Sequence, residues 1–307
     1  MEKISFILHG KMRGRRSVKD SLMRKFSENY VVQFYETAHP RHAEELAIKA
    51  LNDDCDFMIS VGGDGTLHEV VNGFLKSGGR KKFKTVLGVL PYGTGNDFAR
   101  GLGVTRNIDQ LSEMISLNRP AILDAGCMEF QQPDGSVKIC YFDNIADLGI
   151  GADVVVQVNG VHLRKKILGG TLTFFLSVMI TFLTFKPKKV RVSWEGFTWE
   201  GSVLSLVVAN GRFFGSGLGV APDAKQDDGL FEVVIFADLS VLDYLKNFAR
   251  VRKCLRVMHP EAHYYRAKEI LVEPIGNIAI VESDGEIAGQ APVLYKCLPA
   301  AMPFLIP

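Results

Sequence analysis

Cysteine is scarce in this sequence, and its placement excludes several kinds of site. The 307-residue chain has five cysteines, and none of them shows the close spacing of a zinc site or a redox pair. A disulfide framework is therefore not expected, and reduced thiols indicate a cytoplasmic protein. The chain also opens directly on a strand-like run, without the apolar segment of a signal peptide, so we expect no secretion signal.

A strong charge imbalance is also lacking. The net charge is +2, which argues against a nucleic-acid-binding protein that relies on overall charge. One uncharged run, residues 167–185, lies between basic clusters and is long enough to cross a membrane. Its hydroxyl residues and glycines lower its apolarity, and a span there would separate the motifs described below. We therefore expect a helix that is either buried or in peripheral contact with the inner face of a membrane.

No Gly-Lys-Ser or Gly-Lys-Thr sequence of the Walker type occurs, so a standard P-loop is excluded. The chain has instead the run Val-Gly-Gly-Asp-Gly-Thr at 61–66, between a strand-like and a helix-like segment. Glycines permit a tight turn that a phosphate can approach closely, and the helix N-terminus favours an anion. The acid Asp64 inside such a turn makes sense if a divalent cation lies between its carboxylate and the phosphates.

A second turn repeats these features at residues 91–99, Pro-Tyr-Gly-Thr-Gly-Asn-Asp-Phe-Ala. It combines two glycines and a threonine with an acid at a helix start, where Asn96 or Asp97 is expected near the cap. Taken alone, Asp97 is most simply a helix-capping residue. Two acids at the same edge of one sheet, however, favour a role in holding a cation beside phosphates.

The pattern of strands and helices changes near residue 125. Strand and helix signals alternate before it, which predicts a parallel sheet that binds ligands at the carboxyl ends of its strands. Short β-branched runs dominate after it, which predicts an antiparallel β-sandwich. We therefore predict an α/β nucleotide-binding domain over 1–125 and an all-β domain over 126–307. The last residues end either in the second domain or back on the first.

In combination, these motifs resemble the diacylglycerol kinase catalytic family, which includes bacterial lipid kinases and the sphingosine and ceramide kinases. The matching segments are 62–66 with 69–73, then 91–100, 221–230 and 284–286. They follow one another in the family's order over nearly the whole chain. The resemblance implies an NAD kinase-like α/β domain followed by a β-sandwich, with the active site in the cleft between them.

The resemblance also implies an activity and a set of residues. The expected reaction is ATP- and Mg²⁺-dependent transfer of the γ-phosphoryl group to a lipid hydroxyl, with a diacylglycerol-like acceptor by default. Glu286 would accept the hydroxyl proton, and Asp64 would serve the Mg²⁺, with Asp97 and Asp124 in the same electrostatic network. A second metal site would use the carboxylate of Asp228 and the carbonyls of Lys225 and Leu230. The nucleotide would contact Thr37, Gly62, Gly63, Asp64, Gly65, Thr66, Leu67, His68, Gly93, Thr94 and Asn96.

Without the resemblance, some of these residues have simpler readings. The pairs Asp284-Gly285 and Asp228-Gly229 are favourable turn pairs, and a glutamate such as Glu286 is most often only solvated. Asp124 follows an apolar run, so it is either a strand-end surface group or a buried acid that needs a partner.

The chain departs from the family's pattern at two places near the nucleotide. His68 stands where an asparagine is usual, and the segment around His9 and Gly10 lacks the usual Asn-Pro and Ser-Gly pairs. The nucleotide preference therefore stays open. The alternatives are an NAD kinase-like enzyme, which shares the Gly-Gly-Asp-Gly turn, and a catalytically silent nucleotide-binding regulator. The identity of the lipid partner at the membrane surface and the oligomeric state, with a dimer as one option, are not readable from the sequence.

Overall fold

The computed structural model describes residues 1–79, 84–132, 134–160, 181 and 184–307. The helix expected over 167–185 therefore lies outside the described residues, apart from isolated positions near its end. Among the helices of the described part of the chain, none has both the length and the apolarity needed to cross a bilayer.

Strands and helices alternate in the first part of the chain, as predicted. Its sheet has the strand order β2-β1-β3-β4 with every neighbouring pair parallel. The first helix is amphipathic. Its buried residues Val18, Leu22 and Phe26 recur every four positions and therefore lie on one face of the helix. The elements are β1 (Lys3–Leu8), α1 (Arg15–Phe26), β2 (Val31–Glu36), α2 (His42–Asn52), β3 (Phe57–Gly62), α3 (Asp64–Lys76), β4 (Val86–Pro91), α4 (Asp97–Gly101) and α5 (Ile108–Leu117).

The second part is built mainly from antiparallel strands. Its described elements are β5 (Ala121–Gln131), β6 (Val137–Phe142), β7 (Ile145–Gly149), α6 (Ile150–Gly160), β8 (Lys188–Trp194), β9 (Phe197–Val203), β10 (Ser205–Ala209), β11 (Phe213–Phe214), β12 (Leu218–Gly219), β13 (Phe231–Phe236), α7 (Val241–Arg252), β14 (Ala262–Ala267), β15 (Glu269–Pro274), β16 (Ile280–Ser283), β17 (Glu286–Gln290) and β18 (Val293–Phe304). A capping box of Ser240 and Asp243 marks the start of α7.

Two sheets enclose the second core. One has the strand order β14-β13-β10-β7-β16-β17, and the other is formed by β5, β6, β8, β9, β15 and β18. Both contribute fully buried side chains to a single apolar cluster, among them Val192 and Tyr295 from one sheet and Leu206 and Val233 from the other. Alternation along each strand places these residues on the inner faces, so the predicted β-sandwich is confirmed.

The C-terminal strand β18 joins the two parts of the molecule. It runs antiparallel to β5 and ends parallel to β4, where Phe304 is opposite Leu87. Met302, Phe304 and Leu305 are buried in the first core, and the Phe304 ring lies 5.1 Å from that of Phe98. Of the two endings left open by the sequence, the chain therefore adopts the return to the first part. One ten-stranded sheet runs through both parts as a result.

Candidate active site

The first glycine turn leads from β3 directly into α3. This helix begins at Asp64, earlier than the Leu67 start that the sequence indicated, and the N–H groups of Thr66 and Leu67 donate to the carbonyl of Gly63. Gly62 is enclosed, because a Cβ there would lie 2.5 Å from Oγ1 of Thr66. A Cβ on Gly65 would meet no atom within 4 Å. An anion can therefore approach the helix N-terminus over Gly65.

Gly63 and Gly93 bring the two turns into direct backbone contact. A Cβ on Gly93 would lie 2.4 Å from Cα of Gly63, and one on Gly63 would lie 2.9 Å from Cα of Gly93. The N–H of Tyr92 also donates to the carbonyl of Gly62 at 2.6 Å. Glycine is required at both positions because no side chain fits between the turns. Adjacent parallel strands thus place both turns at one edge of the sheet.

The carboxylate of Asp64 caps the helix of the second turn. Its Oδ1 accepts the N–H groups of Asp97 and Phe98, at 2.8 and 3.4 Å. Asn96 lies at the N-cap position, as predicted, but its side chain makes no capping hydrogen bond. Asn96 has a left-handed backbone, and its Oδ1 accepts the N–H of Gly93 instead. An acid from one turn therefore fixes the conformation of the other.

The carboxylate of Asp97 faces the second domain. Its Oδ2 accepts the N–H of Ser216 at 2.8 Å, while its buried Oδ1 lacks a hydrogen bond among the described residues and lies 3.7 Å from Nε of Arg100. A Cβ on Gly95 would lie 2.9 Å from Oδ2 of Asp64 and 3.2 Å from Oδ2 of Asp97, so the two acids are close neighbours.

The electrostatics of this pair favour a bound cation. Burial raises the pKa of both carboxyls, and the charge of Asp97 raises that of Asp64 further. A divalent ion between them would compensate the buried negative charge and give the unpartnered Oδ1 of Asp97 a ligand role. The residues present therefore fit Mg²⁺.

Asp124 has different neighbours. Its two carboxylate oxygens accept the N–H groups of Gly229 and Ala300, both at 2.7 Å. Burial raises the pKa of Asp124, and the charges of Asp228 and Asp227 raise it further. Asp124 and these two acids line a cavity of about 340 Å³. A single network of Asp124 with Asp64 and Asp97 stays a prediction.

The expected second metal set does not fit a cation well. The carboxylate of Asp228 contacts the guanidinium of Arg266 and accepts the N–H of Leu230 at 3.1 Å. The cation beside this acid is thus a side chain of the chain itself, and a metal ion bound with the carbonyls of Lys225 and Leu230 would have to displace it. We therefore base no step of the reaction on this site.

The bend at 284–286 carries two acids in contrasting surroundings. Asp284 is 2% exposed, and its oxygens accept the N–H groups of Asp143, Asn144 and Ile145 at 2.9–3.2 Å. Burial alone would raise its pKa, but a hydrogen bond from His68 helps to lower it on balance. Glu286 is exposed at the start of β17, and none of the described residues engages its carboxylate.

His68 connects the first turn to this bend. Its Nδ1 lies 2.8 Å from Oδ2 of Asp284, and its Nε2 lies 3.4 Å from Nδ2 of Asn72. The Asn72 side chain in turn donates to the carbonyl of Tyr141 and accepts its N–H. Helix α3 is therefore tied to the second domain at two points. The residue that departs from the family's usual asparagine lies at the domain interface.

The remaining predicted nucleotide contacts lie at the same edge of the sheet. Oγ1 of Thr37 accepts the N–H of Gly10 at 2.9 Å, and His9 donates its N–H to the carbonyl of Val61. Thr94 is exposed in the second turn, whereas the side chain of Leu67 is buried in the core. Only the backbone of Leu67 can therefore face a nucleotide.

The sequence carries little signal for three residues of the site. Ser216 binds Asp97 through its backbone alone, so its residue type contains no information. Asp143 and Asn144 are a buried polar pair before the apolar strand β7. Two polar residues directly before an apolar strand are the one sign in the sequence that residues 143–144 contact polar groups as well as the core.

Comparisons with known proteins identify the family of this chain. A model of the diacylglycerol kinase catalytic domain matches residues 3–128, and one of the YegS C-terminal NAD kinase beta sandwich-like domain matches residues 144–306. A protein of Alcanivorax borkumensis named "Probable lipid kinase YegS-like" is 32% identical over 80% of this chain and 77% of its own. A diacylglycerol kinase of Staphylococcus aureus is 27% identical over 93% of this chain and 85% of its own.

Solved structures share the fold. A diacylglycerol kinase from Bacillus anthracis has a TM-score of 0.69 at 18% identity, covering 100% of this chain and 97% of its own. Yeast NADH kinase complexed with NADH has a TM-score of 0.56 at 8% identity, covering 99% of this chain and 82% of its own. The resemblance seen in the sequence and the predicted NAD kinase-like architecture are both confirmed.

Proposed function

The chain belongs to the diacylglycerol kinase family of lipid kinases, and we propose that it uses ATP and Mg²⁺ to phosphorylate the hydroxyl group of a membrane lipid. The observation that carries this proposal is the pair of acids, half-buried Asp64 and buried Asp97, held by two touching glycine turns beside a helix N-terminus. Two neighbouring carboxylates destabilise the fold unless a cation lies between them. With a bound cation they can hold it beside a polyphosphate.

The nucleotide phosphates would lie over Gly65, where the backbone is open, and against the first N–H groups of α3. Asp64 and Asp97 would hold Mg²⁺, which when bound supplies the positive charge that phosphoryl transfer requires. Thr37 and Thr94 lie at the same edge and would complete the nucleotide contacts. Because Asp64 also caps α4, the two turns keep a fixed spacing whether or not ligand is bound.

Glu286 would accept the proton of the lipid hydroxyl. Asp284 is a poor alternative, because three backbone N–H groups and His68 already occupy its oxygens. These hydrogen bonds fix the 284–286 bend, so Asp284 acts by holding Glu286 in position. The carboxylate of Glu286 is exposed and available to a hydroxyl that enters the cleft.

We propose a diacylglycerol-like lipid as the acceptor, presented at the inner face of the cytoplasmic membrane. The support comes from the names of the relatives, which are a diacylglycerol kinase and a lipid kinase. An NAD kinase-like activity is the second candidate, because yeast NADH kinase shares the fold.

One assay tests both candidates. The full chain is incubated with radiolabelled ATP and Mg²⁺, with either a total bacterial lipid extract or NAD, and the labelled products are separated. We expect label in a lipid and none in NADP. Label in NADP alone would establish the second candidate, and tight ATP binding without transfer to any acceptor would indicate a regulator.

The same assay assigns the base. Glu286→Gln is expected to lower kcat by about 10³-fold while leaving ATP affinity unchanged, since it removes only the proton acceptor. Asp284→Asn is expected to lower the unfolding temperature together with activity, because the bend loses hydrogen bonds. Near-normal turnover by Glu286→Gln would refute the assignment. Asp20→Asn, at an exposed position of α1, serves as the control.

A further inference from the structure

Three side chains meet where the first turn touches the second domain. One ligand atom from each of His68, Asp143 and Asp284 lies within 4.8 Å of the other two. An ion with bonds of about 2.0–2.2 Å holds neighbouring ligand atoms about 3–4 Å apart, so only a small adjustment separates this arrangement from a coordinated one. His68 comes from α3, while the two acids come from different segments of the sandwich domain.

Asp143 provides an independent sign that something is bound here. The residue is 2% exposed, and its Oδ1 lacks a hydrogen-bond partner among the described residues. A buried carboxylate oxygen normally finds a donor, and leaving it without one is costly. His68 and Asp284 each place a ligand atom within 4.8 Å of the Asp143 carboxylate.

We propose that His68, Asp143 and Asp284 bind a first-row divalent metal ion at the domain interface, distinct from the Mg²⁺ held by Asp64 and Asp97. An imidazole with two carboxylates suits Mn²⁺ or Zn²⁺, whereas Mg²⁺ prefers oxygen ligands. The ion takes the place of the proton between His68 and Oδ2 of Asp284, while the carboxylate of Asp284 keeps its hydrogen bonds from backbone N–H groups. Binding therefore releases that proton to solvent.

The position of this site gives it a consequence for the domains. Its ligands come from both sides of the interface, so a bound ion holds α3 and the 284–286 bend together. This inference goes beyond the proposed kinase activity and does not depend on it.

Isothermal titration of the metal-stripped full chain with Zn²⁺, and in parallel with Mn²⁺, tests the site without nucleotide or lipid. We expect one ion per chain that depends on His68, in addition to any ion held by Asp64 and Asp97, with proton release seen as a dependence of the heat on the buffer's ionisation enthalpy. His68→Asn and Asp143→Asn are expected to weaken binding by at least about 10-fold. His68→Asn decides the question if Asp143→Asn does not fold.

Two control variants separate this site from others. Asp64→Asn removes the charge of the first turn. His39→Ala removes one of three side chains, with His42 and Glu45, that could also hold an ion. Both are expected to retain the ion that His68→Asn loses. The proposal is overturned if wild type and His68→Asn bind the metal equally well, if neither binds it at submillimolar concentration, or if His39→Ala alone abolishes binding.

Discussion

Two groups of acids in this molecule show how differently burial can be compensated. The turn acids, Asp64 and Asp97, face each other with one oxygen unpartnered. The loop acids, Asp124 and Asp228, are bound by backbone N–H groups and by Arg266. The loop acids therefore carry their compensation within the chain, and they hold the 225–230 loop in place. The turn acids are compensated only in part, because backbone N–H groups bind Asp64 and one oxygen of Asp97, while the other oxygen of Asp97 has only Arg100 at 3.7 Å. Incomplete compensation is the property expected of a site that takes a cation from solution.

The largest expected effect comes from removing one charge of the turn acids. Asp64→Asn keeps an oxygen that can accept the N–H of Asp97, so the turns stay connected. It loses the charge that attracts the cation, and we expect kcat to fall by about 10³-fold. Asp227→Asn, an exposed acid of the loop region, should be near normal. Equal activity of Asp64→Asn and Asp227→Asn would contradict the different roles assigned to the turn acids and the loop acids.

The contact between the turns is the next most sensitive feature. Gly93→Ala would place a methyl group 2.4 Å from Cα of Gly63, and we expect a loss of about 3 kcal/mol in unfolding free energy. Gly65→Ala is the matched control, because its methyl group enters open space. It should retain stability yet bind ATP more weakly, since we propose that a phosphate occupies that space. Urea unfolding and nucleotide titration of both variants check this. A stable Gly93→Ala would contradict the described packing.

The loop acids should affect stability more than chemistry. Asp124→Asn leaves only one good acceptor for the N–H groups of Gly229 and Ala300, so we expect a loss of about 2 kcal/mol in unfolding free energy. Asp64→Asn should cost less stability, because burial opposes its charge in the absence of metal. Chemical unfolding of both proteins in metal-free buffer gives the comparison. The reverse order of stability would show that the turn acids are also compensated within the chain.

Glu232 shares features of both groups. Its Oε2 accepts the N–H of Asp223, whereas its buried Oε1 lacks a partner among the described residues. Burial raises its pKa to about 7. Because the folded-state pKa is above the unfolded one, this acid's stabilising contribution is complete below about pH 4.5 and is lost as the pH rises through about 7.

Glu232→Gln imitates the protonated side chain at every pH. We therefore expect it to match wild type in unfolding free energy at pH 5 and to exceed it at pH 8. Urea unfolding of both proteins at the two pH values measures the difference in unfolding free energy. The other titrating groups are the same in both proteins, so their contributions cancel in this difference. A difference that shrinks with rising pH would show that the charged form is the one the loop stabilises.

Much of the fold could be predicted from local patterns. Alternating signals located β1 to β4 correctly because parallel strands are buried on both faces and therefore strongly apolar. Strand β14 and helix α6 were missed. The sequence Ala-His-Tyr-Tyr-Arg-Ala of β14 lacks a clear alternation, since its burial comes from pairing with β13. The end of the chain was ambiguous because an apolar strand fits either core equally well.

The sequence by itself determined which chemistry this protein has available: two glycine turns with an acid each, and a bend with two more. That follows from residue type, because only glycine allows the turns and only carboxylates attract the cation. The tertiary structure decided how the acids are used. It made Asp64 the cap of α4, gave Asp124 to the loop, and joined His68 to Asp143 and Asp284. These partners are far apart in the chain, and only the tertiary packing within and between the two domains brings them together.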